Sequence, residues 1–248
     1  MTYLLYIILG FLPSIVWLLF YLRKDSHPEP NSMVIRIFIW GMIISPLAIV
    51  LEFFLIWLIN PYLSISEILT KIPTSVIGIL LSTSVIPAVV EEYLKYSVVK
   101  YKVLKNSEFD EPLDAMLYCI IAALGFAAVE NLLILLKTPL MPISNATAII
   151  LIRFLGATFL HGLSSGIVGY YLSQGLLFIN KKNILITKGL IIAIIFHTTY
   201  NYFIVNIHTL GKFSVIGISI LLISMAFIVS GFFKQLKTQL SICNLKNY

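Results

Sequence analysis

The side chains of this chain that can move protons or hold a metal stand inside long apolar runs, where such groups are costly. Glu52, Glu91, Glu92, Lys95, Glu130, Arg153, His161 and His197 all fall within these runs, joined by the amides of Asn131 and Asn201. A charged side chain at the centre of a membrane helix costs roughly 2.5–3.5 kcal/mol on insertion scales, so each one points to function by default. Structural roles alone do not account for so large a set.

Spacing suggests what chemistry the set can do. Glu91 and Lys95 are four apart and share a helix face, while Glu92 is turned away by about 100°. Two adjacent buried carboxylates repel, a setting in which one of them serves as a general base. The bland alternative is a helix end snorkelling to water, but Tyr96 to Val99 continue the apolar run before the basic loop begins. Glu130 stands among Ala122, Ala123, Gly125, Ala127 and Ala128. A carboxylate packed so tightly must be protonated, paired or metal-bound. His161 is followed by Gly162, Ser164, Ser165, Gly166 and Gly169, and His197 shares a helix face with Asn201. A single buried histidine is ordinarily a satisfied core residue. Two histidines with three carboxylates read differently, because imidazole nitrogen and carboxylate oxygen together suit zinc, and three such ligands with one open position activate water. Glu130, His161 and His197 are the candidate ligands for zinc or another divalent metal. Glu91 or Glu92 is the candidate base, with His197 and Asn201 binding either the metal or a developing oxyanion.

Glu52 has no obvious local partner and is expected to pair elsewhere. Arg153 is expected to snorkel at the outer interface, and Asp114 to complement the start of a helix. His27 and His208 fall in loops. None of these is assigned to catalysis.

The elements that must position these residues follow from composition. With 59% hydrophobic and 11% charged residues, the chain is far more apolar than a soluble domain, where roughly a quarter of positions are charged. Windows of about 20 apolar residues, the length that crosses the hydrocarbon core, fall at 2–22, 33–58, 74–99, 113–136, 149–178, 184–206 and 213–233. Lipid satisfies no free backbone group, so each span is a helix. The fold class is therefore an all-α polytopic membrane bundle of about seven helices with a buried Glu/His/Asn site, in a single domain over 1–248. Pro28 and Pro30 precede the second span, Asn60-Pro61 follow it, and Pro112 opens the fourth. Arg23-Lys24 directly follow the first run, which lacks a basic flank before it, so it reads as a span and not a cleaved signal. Cys119 and Cys243 are far apart in sequence and propose no disulfide or metal pair.

Basic residues divide 12 against 3 between the two faces: Lys71, Lys137 and Lys212 hold one side, and loops such as those with Lys102 and Lys182 the other. The positive-inside rule then predicts a cytoplasmic C-terminus and an outer N-terminus in the cell membrane. These basic blocks lie between apolar runs without interleaved aromatics, which argues against nucleic acid as a partner despite the net charge of +6. At about 1.5 Å per residue from the basic end of each helix, Glu91 and Glu130 lie about 21 Å deep and His197 about 18 Å, so they can meet at one level.

Taken in order, these pieces resemble the PrsW family of intramembrane metalloproteases, within the wider group that includes the CAAX prenyl endopeptidases. The resemblance rests on D-S-H-P-E-P at Asp25 to Pro30, E-E-x-x-K at Glu91 to Lys95, Asp114 through F-x-x-x-E-N ending at Asn131, then Arg153, His161 and H-x-x-x-N at His197 and Asn201. It implies peptide-bond hydrolysis within or near the membrane, with Glu91, Glu92, Glu130, His161, His197 and Asn201 essential. It also implies a membrane-anchored protein substrate, the lipid bilayer as surroundings, and no soluble cofactor. Ala115 and Cys119 stand where that family is expected to have glycines, and Tyr200 where it usually has tryptophan. Two rival classes share the buried polar set: a proton- or ion-coupled transporter, and a catalytically silent scaffold. The missing internal repeat weighs against the first, and retention of every candidate site residue against the second.

Overall fold

In a computed structural model, which describes residues 2–25, 27–59, 76–137 and 141–239, the described residues form helices and short connections with no strand. In chain order the helices are α1 (Thr2–Leu22), α2 (Asn31–Ile59), α3 (Val76–Leu80), α4 (Ile86–Lys102), α5 (Pro112–Lys137), α6 (Ile143–Leu155), α7 (Ala157–Leu177), α8 (Lys182–Val205), α9 (Ile207–Leu210) and α10 (Lys212–Leu236). They make seven helical stretches long and apolar enough to cross a membrane, and the chain is a multi-pass membrane protein. Residues 74 and 75 of the expected third span lie outside the described residues, as do Lys71, the Asn60-Pro61 stop, Cys243 and Lys246.

Two spans differ from the sequence expectation. The third is not a continuous α-helix: Leu81–Val85, between α3 and α4, is a π-helical turn. Pro87 follows within two residues and cannot donate to the carbonyl four residues back. Just before it, the hydroxyls of Ser82 and Thr83 donate to the carbonyls of Gly78 and Ile79, each at 2.7 Å, a back-bonding that bends helices. The fifth span starts earlier than expected, at Ile143, and breaks at Gly156 between α6 and α7. A Cβ at Gly156 would lie 2.6 Å from the Tyr200 hydroxyl, so the break is where α8 presses against the span.

The core sits around α5, which is buried without interruption from Pro112 to Ala128 and packs chiefly on α7, α2 and α1. Lipid gives helices no hydrophobic reason to associate, so close backbone approach through small residues does that work. A Cβ on Gly41 of α2 would sit 2.0 Å from the Ala122 carbonyl oxygen of α5, and one on Gly125 of α5 would sit 2.0 Å from the Phe38 carbonyl of α2. On the opposite side, Gly169 of α7 lies against Met116, Ala115 and Cys119. The two departures from the expected glycines are therefore accommodated by a glycine on the facing helix.

At the basic end of the bundle His27 and Glu29 dock onto the start of α5. Asp114 accepts from the backbone N–H groups of Asp110 and Glu111 at 2.9 and 2.8 Å, which is the helix-start role expected of it. Tyr118 donates to Glu29, and His27 pairs with Glu111 at 2.7 Å. Burial pushes the Glu29 carboxyl up to about 8, a rise that the nearby Asp114 carboxylate reinforces and the Tyr118 hydrogen bond opposes.

Candidate active site

Four elements bring the ionisable residues to one place. Glu91, Glu92 and Lys95 come from α4, Glu130 from α5, His161 from α7 and His197 from α8, and all but Glu130 are buried to 6% exposure or less. Lys95 is the hub. Its ammonium donates to Glu91 Oε2 at 3.3 Å, to Glu92 Oε1 at 3.0 Å and to His161 Nδ1 at 2.7 Å, and it lies 4.6 Å from the centre of the Phe126 ring. A bare ammonium would not persist here; three acceptors and a ring face replace its water.

The two imidazoles are held in matching ways. His161 Nε2 lies 2.7 Å from Glu130 Oε2, and His197 Nδ1 lies 2.8 Å from Glu92 Oε1. A ring nitrogen facing a carboxylate carries the proton, which leaves His161 Nδ1 and His197 Nε2 with lone pairs. Both lone pairs face Glu91 Oε2, at 3.7 and 3.8 Å. Glu92 is further occupied by Ser164 at 2.9 Å and Ser165 at 3.4 Å, so its carboxylate is fully engaged. Glu130 is held from the other side by Arg153 at 3.3 Å. Arg153 also donates to Asn131, whose amide donates to Thr158 at 3.0 Å.

Several sequence readings change. Arg153 does not snorkel at the interface; it turns inward, because Glu130 and Asn131 one helix away offer it a carboxylate and an amide oxygen. Glu130 does not face both histidines, being on the outer nitrogen of His161. The carboxylate that joins them is Glu91: one ligand atom from each of Glu91, His161 and His197 falls within 4.8 Å of the others. Asn201 shares the α8 face of His197 but donates to the Ser84 carbonyl in the π-helical turn, at 3.5 Å. Tyr200 packs on Gly156 outside this cluster. Ser164, Ser165 and Thr158 carried no assigned role in the sequence. The signal for the serines was their spacing of three and four from His161, which places them on its face.

The donor set suits a divalent cation in kind: one carboxylate and two lone-pair nitrogens, each ring oriented by a carboxylate behind it. The Lys95 ammonium already occupies a cation's position beside Glu91 and His161.

Buried carboxylates, two carboxylate-oriented imidazoles and two cations thus gather in one cluster of a seven-span membrane protein. Residues 29–231 match the model of the PrsW family intramembrane metalloproteases. The chain belongs to the PrsW family and is a membrane protease. It is 28% identical to the protein named Protease PrsW of Geobacillus kaustophilus over 184 residues, covering 74% of this chain and 72% of that one. Its identity to the Protease PrsW of Oceanobacillus iheyensis is 26% over 194 residues, covering 78% and 80%, and to that of Bacillus subtilis 26% over 195 residues, covering 78% and 79%. No solved structure matches it.

Proposed function

We propose that the chain is an intramembrane endopeptidase in which Glu91 activates water for attack on a peptide carbonyl of a membrane-anchored protein. The observation that carries this reading is the orientation of the two imidazoles, whose inner nitrogens both face Glu91 at 3.7 and 3.8 Å, His161 Nδ1 while accepting from Lys95. Polar groups at such separations are spanned by a water at ordinary hydrogen-bond lengths. Glu91 takes a proton from that water as its oxygen bonds to the carbonyl carbon, and returns the proton to the departing nitrogen as the C–N bond breaks. Glu92 and Glu130 hold the His197 and His161 rings in place. The Asn201 amide, held only by a long bond to Ser84, is the neutral donor available to the oxyanion. Zinc or another divalent cation would be held by Glu91, His161 and His197 where Lys95 gives up its contact with His161 Nδ1. When bound, it would acidify the water and polarise the carbonyl.

Purified protein in proteoliposomes, incubated with membrane-anchored candidate substrates with and without a chelator, tests both parts. Cleavage that the chelator abolishes and zinc restores supports the metal-assisted form, and cleavage unaffected by chelator supports glutamate alone. Wild-type rates after Glu91→Gln would end the reading.

A further inference from the structure

One carboxylate of the buried set plays no part in the hub. Glu52 forms no ion pair or hydrogen bond with any described residue, yet it lines a cleft of about 380 Å³ with Glu91 and Glu130. The helices explain why a cleft lies there. At their basic halves α2 and α5 are clamped through Gly41 on Ala122 and Gly125 on Phe38. Further along, beyond Pro46 in α2, bulkier side chains replace the glycines and the cleft lies between the two helices. Ser45, Ile49 and Glu52 lie on one face of α2, and Glu130, Leu133 and Lys137 on one face of α5. Between them the cleft runs from the candidate base out to the Lys137 end of the bundle.

A second polar group there is also unsatisfied. Ser45 is fully buried and its hydroxyl has no partner among the described residues. Buried hydroxyls are rarely left alone, and a lipid acyl chain filling the cleft would satisfy neither Ser45 nor Glu52. An extended peptide would satisfy both, since its carbonyls accept from the serine and a basic side chain pairs with the carboxylate.

We propose that the α2–α5 cleft receives an extended stretch of the substrate, with Glu52 as a specificity-determining residue that holds a substrate lysine or arginine and Ser45 donating to a substrate backbone carbonyl. This rests on the protease reading, because the cleft leads to Glu91. Glu52 sits seven residues, two helical turns, beyond Ser45 on the same face. The basic side chain therefore binds on the Lys137 side of the backbone contact.

Binding can be read without cleavage. Leucine-rich single-span peptides carrying a diazirine, and Lys, Met or Glu at one position just beyond the apolar run, are photolysed with the full chain in lipid nanodiscs. Adducts are then mapped by mass spectrometry. The Lys peptide is expected to label Ile49 and Leu133 about tenfold more than the Glu peptide, the effect of one charge-assisted hydrogen bond. Glu52→Gln should erase that preference, and Glu52→Lys should reverse it in favour of the Glu peptide, which guards against simple misfolding. Ser45→Ala should lower capture of all three about fivefold, the effect of one neutral hydrogen bond. Equal labelling by the three peptides, adducts spread over the lipid face of α10, or a preference untouched by both Glu52 variants would each overturn the proposal. A chain that captures the Lys peptide in the cleft and cuts no membrane peptide would instead refute the protease reading alone.

Discussion

Replacing Glu91 and Glu92 one at a time by glutamine separates the base from the residue that positions it. The two carboxylates are neighbours in sequence, both buried, and both within reach of Lys95. Their other contacts differ. Glu92 accepts from Lys95, Ser164, Ser165 and His197, whereas Glu91 keeps a single hydrogen bond, the 3.3 Å contact with Lys95. Glu91→Gln removes the proton acceptor, so cleavage should fall by about 10²–10⁴-fold with little loss of stability. Glu92→Gln leaves an amide oxygen that can still accept from His197, so the rate should fall only about 10–100-fold, as for residues behind a ligand. It should nonetheless unfold more easily than Glu91→Gln, because the Lys95 ammonium and the Ser164 hydroxyl lose a charged acceptor, at roughly 1.5–3 kcal/mol for each charge-assisted bond. Single-turnover cleavage in proteoliposomes gives the rates, and thermal unfolding in detergent gives the stability order. The assignment fails if Glu92→Gln is inert while Glu91→Gln retains a tenth or so of the wild-type rate, the pattern of a base at Glu92.

Further outcomes follow from other parts of the fold. Gly41→Leu should prevent accumulation of folded protein in membranes, since its Cβ alone would sit 2.0 Å from a backbone carbonyl, whereas Gly231→Leu, with nothing within 4 Å, should accumulate normally; fluorescence-detected size exclusion compares them. Glu29 has a carboxyl pushed up by burial to about 8 from a reference of 4.5, so the stability it contributes is complete below the lower value and is lost as pH rises through the upper one. The thermal midpoint should fall between pH 4.5 and about 8 and level off above, and Glu29→Gln should flatten the fall. In intact cells Lys137→Cys should react with an impermeant thiol reagent and Lys182→Cys should be protected. The reverse pattern would invert the orientation read from the charge asymmetry.

What the sequence made legible was whatever depends on composition and period. Length and hydropathy located the spans, because a bilayer accepts little other than an apolar helix. The cost of burying charge marked Glu91, Glu92, Glu130, His161 and His197 as a group. Pairing within the group was less accessible. Depth along a helix places Glu91, Glu130 and His197 near one level, but does not say which ring nitrogen meets which carboxylate, and so Glu130 was ranked as a ligand ahead of Glu91. Arg153 was misread for a related reason: its apparent nearness to a span end assumed a continuous fifth helix, and the break at Gly156 redirects that helix. The π-helical turn at Leu81–Val85 was foreshadowed by Ser82, Thr83 and Pro87, yet none of these alone requires it.

Charge balance links the active site to the cleft beside it. Counted formally among the described residues, Glu52, Glu91, Glu92 and Glu130 face Lys95, Arg153 and, at the far end of the cleft, Lys137 as permanent cations, with both imidazoles committed as donors to carboxylates. Four acidic groups against three basic ones is an arrangement that low-dielectric surroundings penalise unless further positive charge arrives or protons are retained. Lys95 pairs with Glu91 and Glu92 together, and Arg153 with Glu130, whereas Glu52 feels the Lys95 charge without an ion-pair contact among the described residues. The imbalance therefore lies along the path from the α2–α5 cleft to Glu91, where a cation held by the histidines and a basic side chain of the substrate would each reduce it. On the cleft proposal, a substrate that carries an acidic side chain there adds a further negative charge beside Glu52 and Glu130 and is disfavoured against one that carries a basic side chain.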